Sequence, residues 1–251
     1  MELLRELVKN GAQKINFVGG EPLLHPDITA LIREAKESGL TTSIVTNASL
    51  LSKEWLEQMR THLDWIGFSI DASSDALHAK LGRASKPEYA RGTSGHLEQC
   101  LQMWSTAKSL GYGLKLNTVV TRLTLEDDLS ELVLALQPHR WKAFQVLPVQ
   151  GENDTTVTPL LISQREFESW VRRHRDALRQ SGIELIAERN DDMCGTYAML
   201  DGQGRFYTNM CGRYEYSQPA PEVGVMAAWR EVAEGFSHSR FRARGGDWHW
   251  N

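Results

Sequence analysis

Residues Lys14 to Pro22 read Lys-Ile-Asn-Phe-Val-Gly-Gly-Glu-Pro, an apolar strand that runs straight into two glycines, a carboxylate and a proline. Glycine lets a backbone approach a bound molecule with no Cβ in the way, and Glu21 with Pro22 fixes the turn that follows, so this strand is built to end at a ligand. A bare Gly-Gly pair is commonly no more than a strand-to-helix turn; its flanks make this one more specific. Basic residues inside strands carry a second signal. Side chains repeat every second residue along a strand, so Lys14 and Asn16 share a face, as do Lys115 and Asn117, and Arg140 and Lys142. A lysine in the middle of a buried strand is costly unless it is paired or faces a polar cavity. Three such pairs aimed one way describe a cavity for an anion of several charges, and a triphosphate fits. The competing reading is that the lysines sit at strand entrances and extend to water.

Other strand ends carry polar groups. Thr46-Asn47-Ala48-Ser49 offers hydroxyls and an amide to a ribose or an amino acid, although these are also the commonest turn residues. Ser69-Ile70-Asp71 is followed by Gly82-Arg83, and an arginine there can clamp a carboxylate in bidentate fashion. Arg242-Ala243-Arg244-Gly245-Gly246 adds guanidinium groups and glycine amides able to close over phosphates, and Trp248 and Trp250 indicate a tail that docks. His25, next to Pro26, reads as a loop or cap residue, with no partners at metal-ligand spacing.

These positions need a scaffold that brings strand ends together. Apolar runs at Ile15 to Val18, Thr42 to Thr46, Trp65 to Ile70, Leu114 to Val120 and Trp141 to Leu147 read as buried parallel strands. Between them lie amphipathic segments: a first helix with Leu3, Leu4, Leu7 and Val8 on one face, then Ile28, Leu31, Ile32 and Ala35, then Leu97, Cys100, Leu101, Trp104 and Ala107, then Leu129, Leu132, Val133 and Leu136. Thr124 with Asp127, and Ser163 with Glu166, read as capping-box helix starts. Repeated βα units imply an α/β fold with a parallel sheet, either doubly wound or a partial barrel, and in both the ligands lie at the carboxyl ends of the strands. Residues 1–150 form this core. From about Gly151 the pattern changes to a polar loop, a long helix from Ser163 to about Gln180 and a Gly-rich hairpin at Asp201 to Gly204. Residues 151–251 read as an extension covering the mouth of the core rather than an independent domain.

Composition excludes several function classes. At 251 residues with 41% hydrophobic content the chain can bury one full core, and a net charge of −4 with pI near 6.1 gives no global field for nucleic acid or a membrane surface. Any anionic ligand must be held by local basic residues. No apolar run approaches the ~18 residues of a membrane span, and no signal-peptide pattern opens the chain. The dispersed cysteines Cys100, Cys194 and Cys211 read as free thiols in a reducing cytoplasm.

Lys14 to Pro22, Thr46 to Ser49, Lys115 to Val120, Arg140 to Gln145, Gly151 to Asn153, Thr196-Tyr197, Asp201 to Phe206 and Arg244 to Gly246 together resemble, in order and spacing, viperin and its prokaryotic relatives, the radical S-adenosylmethionine (SAM) nucleotide dehydratases. The resemblance spans nearly the whole chain. It implies a partial (βα)6 barrel holding a [4Fe-4S] cluster, SAM and a nucleoside triphosphate. By carry-over, Gly19, Gly20, Glu21, Asn47, Ser69 and Arg83 contact SAM, while Lys14, Asn16, Lys115, Asn117, Arg140, Lys142, Tyr197 and Arg244 contact the nucleotide, mainly its triphosphate. The implied chemistry is homolytic cleavage of SAM, hydrogen abstraction from C4′ of the ribose by the 5′-deoxyadenosyl radical, and loss of the 3′-hydroxyl with one further electron from an external donor. The product is a 3′-deoxy-3′,4′-didehydronucleotide, a chain terminator of use in antiviral defence. No residue is singled out as the general acid, and the base is left open, although the loop Asn153 to Leu161 approaches it. A cytoplasmic monomer is expected.

One part of the family pattern is not in the sequence. Radical SAM enzymes hold three irons of the cluster with a Cys-x3-Cys-x2-Cys loop after their first strand, whereas the cysteines here stand at 100, 194 and 211, so no metal ligand is assigned. The expectation is a chain lacking the N-terminal strand and cluster loop. The alternative is a nucleotide-binding fragment or degenerate paralogue without radical chemistry. A maturase-type radical SAM enzyme is disfavoured, since Cys194 and Cys211 are too few and too far apart for its further clusters.

Overall fold

The structure is a computed structural model that describes residues 2–92, 94–210 and 212–246. Strands β1 (Lys14–Phe17), β2 (Thr41–Thr46), β3 (Trp65–Ser69), β4 (Gly113–Val120), β5 (Arg140–Gln145) and β6 (Leu185–Glu188) form one parallel sheet whose spatial order is the chain order. A doubly wound sheet reverses direction at a switch point; this one never does, so each crossover advances the wall by one strand, as in a barrel. Among the described residues no pairing joins β6 to β1, and the barrel is partial. The sixth strand is absent from the sequence expectations, which end the sheet at residue 147.

Helices α1 (Glu2–Lys9), α2 (Ile28–Glu37), α3 (Lys53–Met59), α4 (Asp75–Lys80), α5 (Lys86–Ala90), α6 (His96–Ser109), α7 (Ser130–Leu136) and α8 (Gln164–Ala177) precede or connect these strands. The Ser163 and Glu166 side chains close a capping box at the start of α8. The pair expected at Thr124 and Asp127 does not start a helix. Thr124 Oγ1 accepts from Thr121 N–H at 3.1 Å within a turn, the Asp127 carboxylate accepts from Ser73 N–H and Oγ–H at 2.7 and 2.5 Å, and α7 begins only at Ser130. The same side chains that cap helices also close turns, and here the turn prevails.

The strands are two-sided. On the outer face Ile44, Ile66, Phe68, Leu114, Leu116, Trp141 and Ala143 are each at most 1% exposed and pack with Ile32, Leu56, Trp104, Val133, Phe167 and Trp170 from α2, α3, α6, α7 and α8. The registers Asn16↔Ser43, Gly67↔Lys115↔Arg140, Ser69↔Asn117↔Lys142 and Phe144↔Glu188 put the polar residues together on the other face. Sheet order and pleat thus separate an apolar core from a polar interior.

Beyond β6, α9 (Asn190–Met193) leads to an antiparallel sheet of β7 (Met199–Leu200), β8 (Arg205–Asn209) and β9 (Tyr214–Pro219). The β7–β8 turn falls at the Gly-rich hairpin expected there, with Asp201 Oδ1 accepting from Gln203 and Arg205 N–H at 2.9 Å each. Helices α10 (Ala220–Val223), α11 (Val225–Ala233) and α12 (His238–Ala243) follow. Phe206, Ala220, Val225, Ala228 and Val232 make a second core, on which Leu3 and Leu7 of α1 also pack. Cys100 is a buried free thiol; Cys194 is disulfide-bonded, which corrects its reading as a free thiol; Cys211, Trp248 and Trp250 lie outside the described residues. No helix among the described residues is long and apolar enough to cross a membrane.

Candidate functional site

The carboxyl ends of β1 to β3 form one half of the site. Gly19 has φ +143°, a region that side chains rarely adopt, and a Cβ added at Gly19 or Gly20 would meet nothing within 4 Å, so this backbone borders open space. Glu21 is buried and caps the short 3-10 turn Pro22–Leu24 by accepting from Leu23 N–H at 3.2 Å. It also accepts from Thr46 Oγ1–H at 2.8 Å and Asn47 N–H at 2.8 Å, clipping the end of β1 to the end of β2. Most of its lone-pair capacity is therefore used inside the protein. Asn47 Oδ1 accepts from Ser49 N–H at 2.9 Å, the turn interaction its sequence also allowed.

After β3, the buried Asp71 receives Arg83 Nε–H and Nη2–H at 2.8 and 2.5 Å on one oxygen and Val119 N–H at 2.8 Å on the other. His78 Nε2 accepts from Asp71 N–H at 3.3 Å while its Nδ1 lies 3.0 Å from Ser74 O, which makes Nδ1 the protonated nitrogen. His96 Nε2 lies 2.9 Å from Ser69 O, so it carries the proton there. Burial, reinforced by the neighbouring His96, pulls His78 down to about 4, and burial lowers His96 as well. Two neutral imidazoles, 4.6 Å apart between ring centres, thus buttress Ser69, Asp71 and Arg83 from behind. Neither histidine was singled out from the sequence, because a lone histidine in a helix, His78 within α4 or His96 at the start of α6, carries no signature of its own.

The second half lies on the inner face of β1, β4, β5 and β6. Lys115 is 5% exposed, Arg140 2% and Arg244 7%, exposures rarely tolerated by cations without an anion at hand. Burial, with Lys115, Arg140 and Lys142 adding like charge, pulls Lys14 down to about 5. Burial together with Lys142 and Arg140 brings Lys115 to about 7. Burial brings Lys142 to about 8 although Glu188 opposes the shift. Lys115 Nζ donates to Ser43 Oγ at 2.8 Å. The α12 end closes over this face: Arg140 Nη2 donates to Gly245 O, Arg244 Nη2 donates to Thr196 O at 2.6 Å, and the Arg244 guanidinium lies 3.8 Å from the Tyr197 ring centre. Gly245 has φ +71° and a Cβ there would sit 2.6 Å from Arg140 Nη2, so a side chain at this position would strain the backbone and displace the guanidinium.

Of the six residues expected to hold SAM, Gly19, Gly20, Glu21, Asn47 and Ser69 stand at or just beyond the ends of β1 to β3, and Arg83, which follows α4, reaches the end of β3 through Asp71. Of the eight expected to hold nucleotide, Lys14, Lys115, Arg140, Lys142, Tyr197 and Arg244 converge, and Asn16 and Asn117 share their face by register. Glu188, at the end of the unanticipated β6, is fully buried among them and was missed. Open space beside Gly19 and Gly20, next to hydrogen-bonding strand ends, fits SAM. The buried Nε of Arg244, with no hydrogen-bond partner among the described residues, fits an anion. An iron-sulfur cluster has no such fit: Cys100 is buried with its thiol pushed up to about 12, and among the described residues no three His, Cys, Asp or Glu side chains are grouped to hold a metal.

Comparison with known proteins gives this geometry a family. The Radical SAM superfamily pattern matches residues 1–133. An S-adenosylmethionine-dependent nucleotide dehydratase of Flammeovirga pacifica is 43% identical over 252 residues, covering 100% of this chain and 82% of the relative. One from Lacinutrix mariniflava is 35% identical over 100% of this chain, which spans 50% of that protein, and the dehydratase RSAD2 of Danio rerio is 31% identical over 99% of this chain and 68% of its own. Among solved structures, native anSMEcpe with bound AdoMet superposes with a TM-score of 0.72 at 14% identity, over 96% of this chain and 74% of the other, and so shares the fold. The inner-face geometry and full-length similarity lead to one conclusion: this chain belongs to the radical SAM superfamily of enzymes and, within it, to the viperin-like S-adenosylmethionine-dependent nucleotide dehydratases.

Proposed function

We propose that the chain holds a nucleoside triphosphate against the basic inner face of β1, β4 and β5, with SAM beside it at the ends of β1 to β3, and that it serves dehydration of the nucleotide to its 3′-deoxy-3′,4′-didehydro analogue. The observation that carries this reading is the convergence of Lys14, Lys115, Arg140, Lys142 and Arg244 on one interior face, with the lysines depressed first by burial and further by the neighbouring cations. A bound polyanion would stabilise the charged form of these side chains. In this reading the basic side chains neutralise and orient the phosphates, the register Ser69↔Asn117 sets the distance between nucleotide and SAM, and the closing α12 end excludes water. Gly19, Gly20, Glu21, Asn47, Ser69 and Arg83 would hold SAM, which together with a reduced [4Fe-4S] cluster supplies hydrogen abstraction in this superfamily. Among the described residues no group fits the cluster. A cytoplasmic monomer fed by an external electron donor, its product terminating polymerase chains in antiviral defence, completes the proposal.

The cysteine positions support a second reading, a nucleotide-binding chain without radical chemistry. Titration with nucleoside triphosphate and monophosphate, with and without SAM, tests the binding site: at least tenfold tighter triphosphate binding is expected, and equal affinities sink the proposal. Anaerobic incubation with iron, sulfide, reductant, SAM and each triphosphate then separates the two readings. Formation of 5′-deoxyadenosine and a dehydrated nucleotide supports the enzyme; triphosphate binding without either supports the binder.

A further inference from the structure

Among the described residues of the second half, Glu188 is the buried one whose charge opposes the others, and three segments meet on it. Lys142 Nζ from β5 and Arg244 Nη1 from the end of α12 both reach Oε1, the latter at 3.4 Å, while Tyr197 Oη–H from the loop after α9 donates to Oε2. Stability alone does not explain it. A buried ion pair is often no more stabilising than apolar residues of the same volume, so its value lies in fixing geometry. Tyr197 gives the direction of that geometry. Burial, and next to it Glu188, hold the phenol well above its ordinary range, so it stays protonated, and its single proton is committed to the carboxylate. A hydroxyl that has given its proton can only accept, and phosphate oxygens have none to give. Tyr197 is therefore placed as the platform under Arg244 rather than as a phosphate donor.

We propose that Glu188 is the positioning residue of the polyanion site, an internal anion that holds Lys142, Arg244 and Tyr197 converged so that a triphosphate meets them already arranged. The proposal rests on the nucleotide-binding reading above and names what organises that site. It makes an electrostatically counterintuitive claim. A carboxylate near phosphates repels them, so a Glu188 that was merely a nearby charge would weaken binding, and its neutralisation would tighten it. As organiser it does the reverse. In Glu188→Gln the amide can accept on one side only, which loosens the tether to Lys142 and Arg244 and frees the Tyr197 proton from its acceptor.

The test is calorimetric titration of the whole chain with inorganic triphosphate and, in parallel, with inorganic phosphate. The expected result is at least tenfold weaker triphosphate binding in Glu188→Gln, with phosphate affinity changed less than threefold, since a single phosphate needs no converged set. A general loss of structure would lower both equally. Equal or tighter triphosphate binding, or parallel loss for both ligands, overturns the role of Glu188 while leaving the site reading intact. Failure of the unmodified chain to bind inorganic triphosphate overturns both. Should Glu188→Gln not fold, Lys142→Met and Lys142→Met/Glu188→Gln remove the unpaired cation first. The double variant must then bind triphosphate at least threefold more weakly than Lys142→Met, because Arg244 and Tyr197 still depend on Glu188. Equality between them rejects the proposal.

Discussion

Asp71 shows how a residue expected at SAM, Arg83, is anchored from inside the protein. Its two oxygens take Arg83 and the Val119 amide, and its own N–H is held by His78. Replacing Arg83 with alanine leaves a carboxylate that is 7% exposed facing one amide. Arg83 is itself 28% exposed, so solvent softens the penalty, and a loss of about 1–3 kcal/mol in urea unfolding is expected, with SAM affinity reduced at least tenfold. An unchanged SAM affinity would reduce Arg83 to a purely structural role. The Lys14, Lys115 and Arg140 positions were legible because a period of two applies as soon as a strand is recognised. Glu188 was not, because a lone carboxylate closing a four-residue strand acquires meaning only through the Phe144↔Glu188 register.

Strands make the same point about packing. The Trp65 ring of β3 lies across Gly113 of β4, where an added Cβ would come within 2.4 Å of Trp65 Cδ2. Gly113→Ala should therefore displace that ring and cost about 1–3 kcal/mol, measured as a shift in the denaturation midpoint without a change in slope. A neutral result would mean that Trp65 moves freely. Five of the six sheet strands could be placed from their apolar runs, within a residue or two of their observed ends. The sequence could not decide between a doubly wound sheet and a barrel wall, since strand order is a property of pairings between distant segments. Thr124 and Asp127 mislead for a related reason: their spacing suits a helix cap and a turn equally, and only Ser73 across the gap decides between them.

At the scale of the whole molecule, three lysines held below their ordinary range make ligand binding a proton reaction. For Lys14 and Lys115 the folded value lies below the unfolded one, so between about 5 or 7 and the ordinary 10.5 the unfolded chain binds more protons, and stability without ligand rises with pH. Subtracting the stability curve of Lys14→Met should remove up to about 1.4 kcal/mol of that rise per pH unit between pH 6 and 9. Identical slopes would mean Lys14 is charged in the free protein. Triphosphate restores the lysine charges, so binding takes up about one to two protons near pH 8, and log affinity should fall by about that number per pH unit above pH 7.5. Calorimetry in buffers of different ionisation heat reads this directly, and a zero uptake would contradict it. The contact of Arg140 with Gly245 spans 105 residues. At a synthesis rate of about 5–20 residues per second, the ribosome finishes the lysine-bearing wall several seconds before the segment that closes it. During that interval the nascent chain carries a cationic wall without the α12 segment that covers it, so closure over a bound anion must wait for α12 to dock.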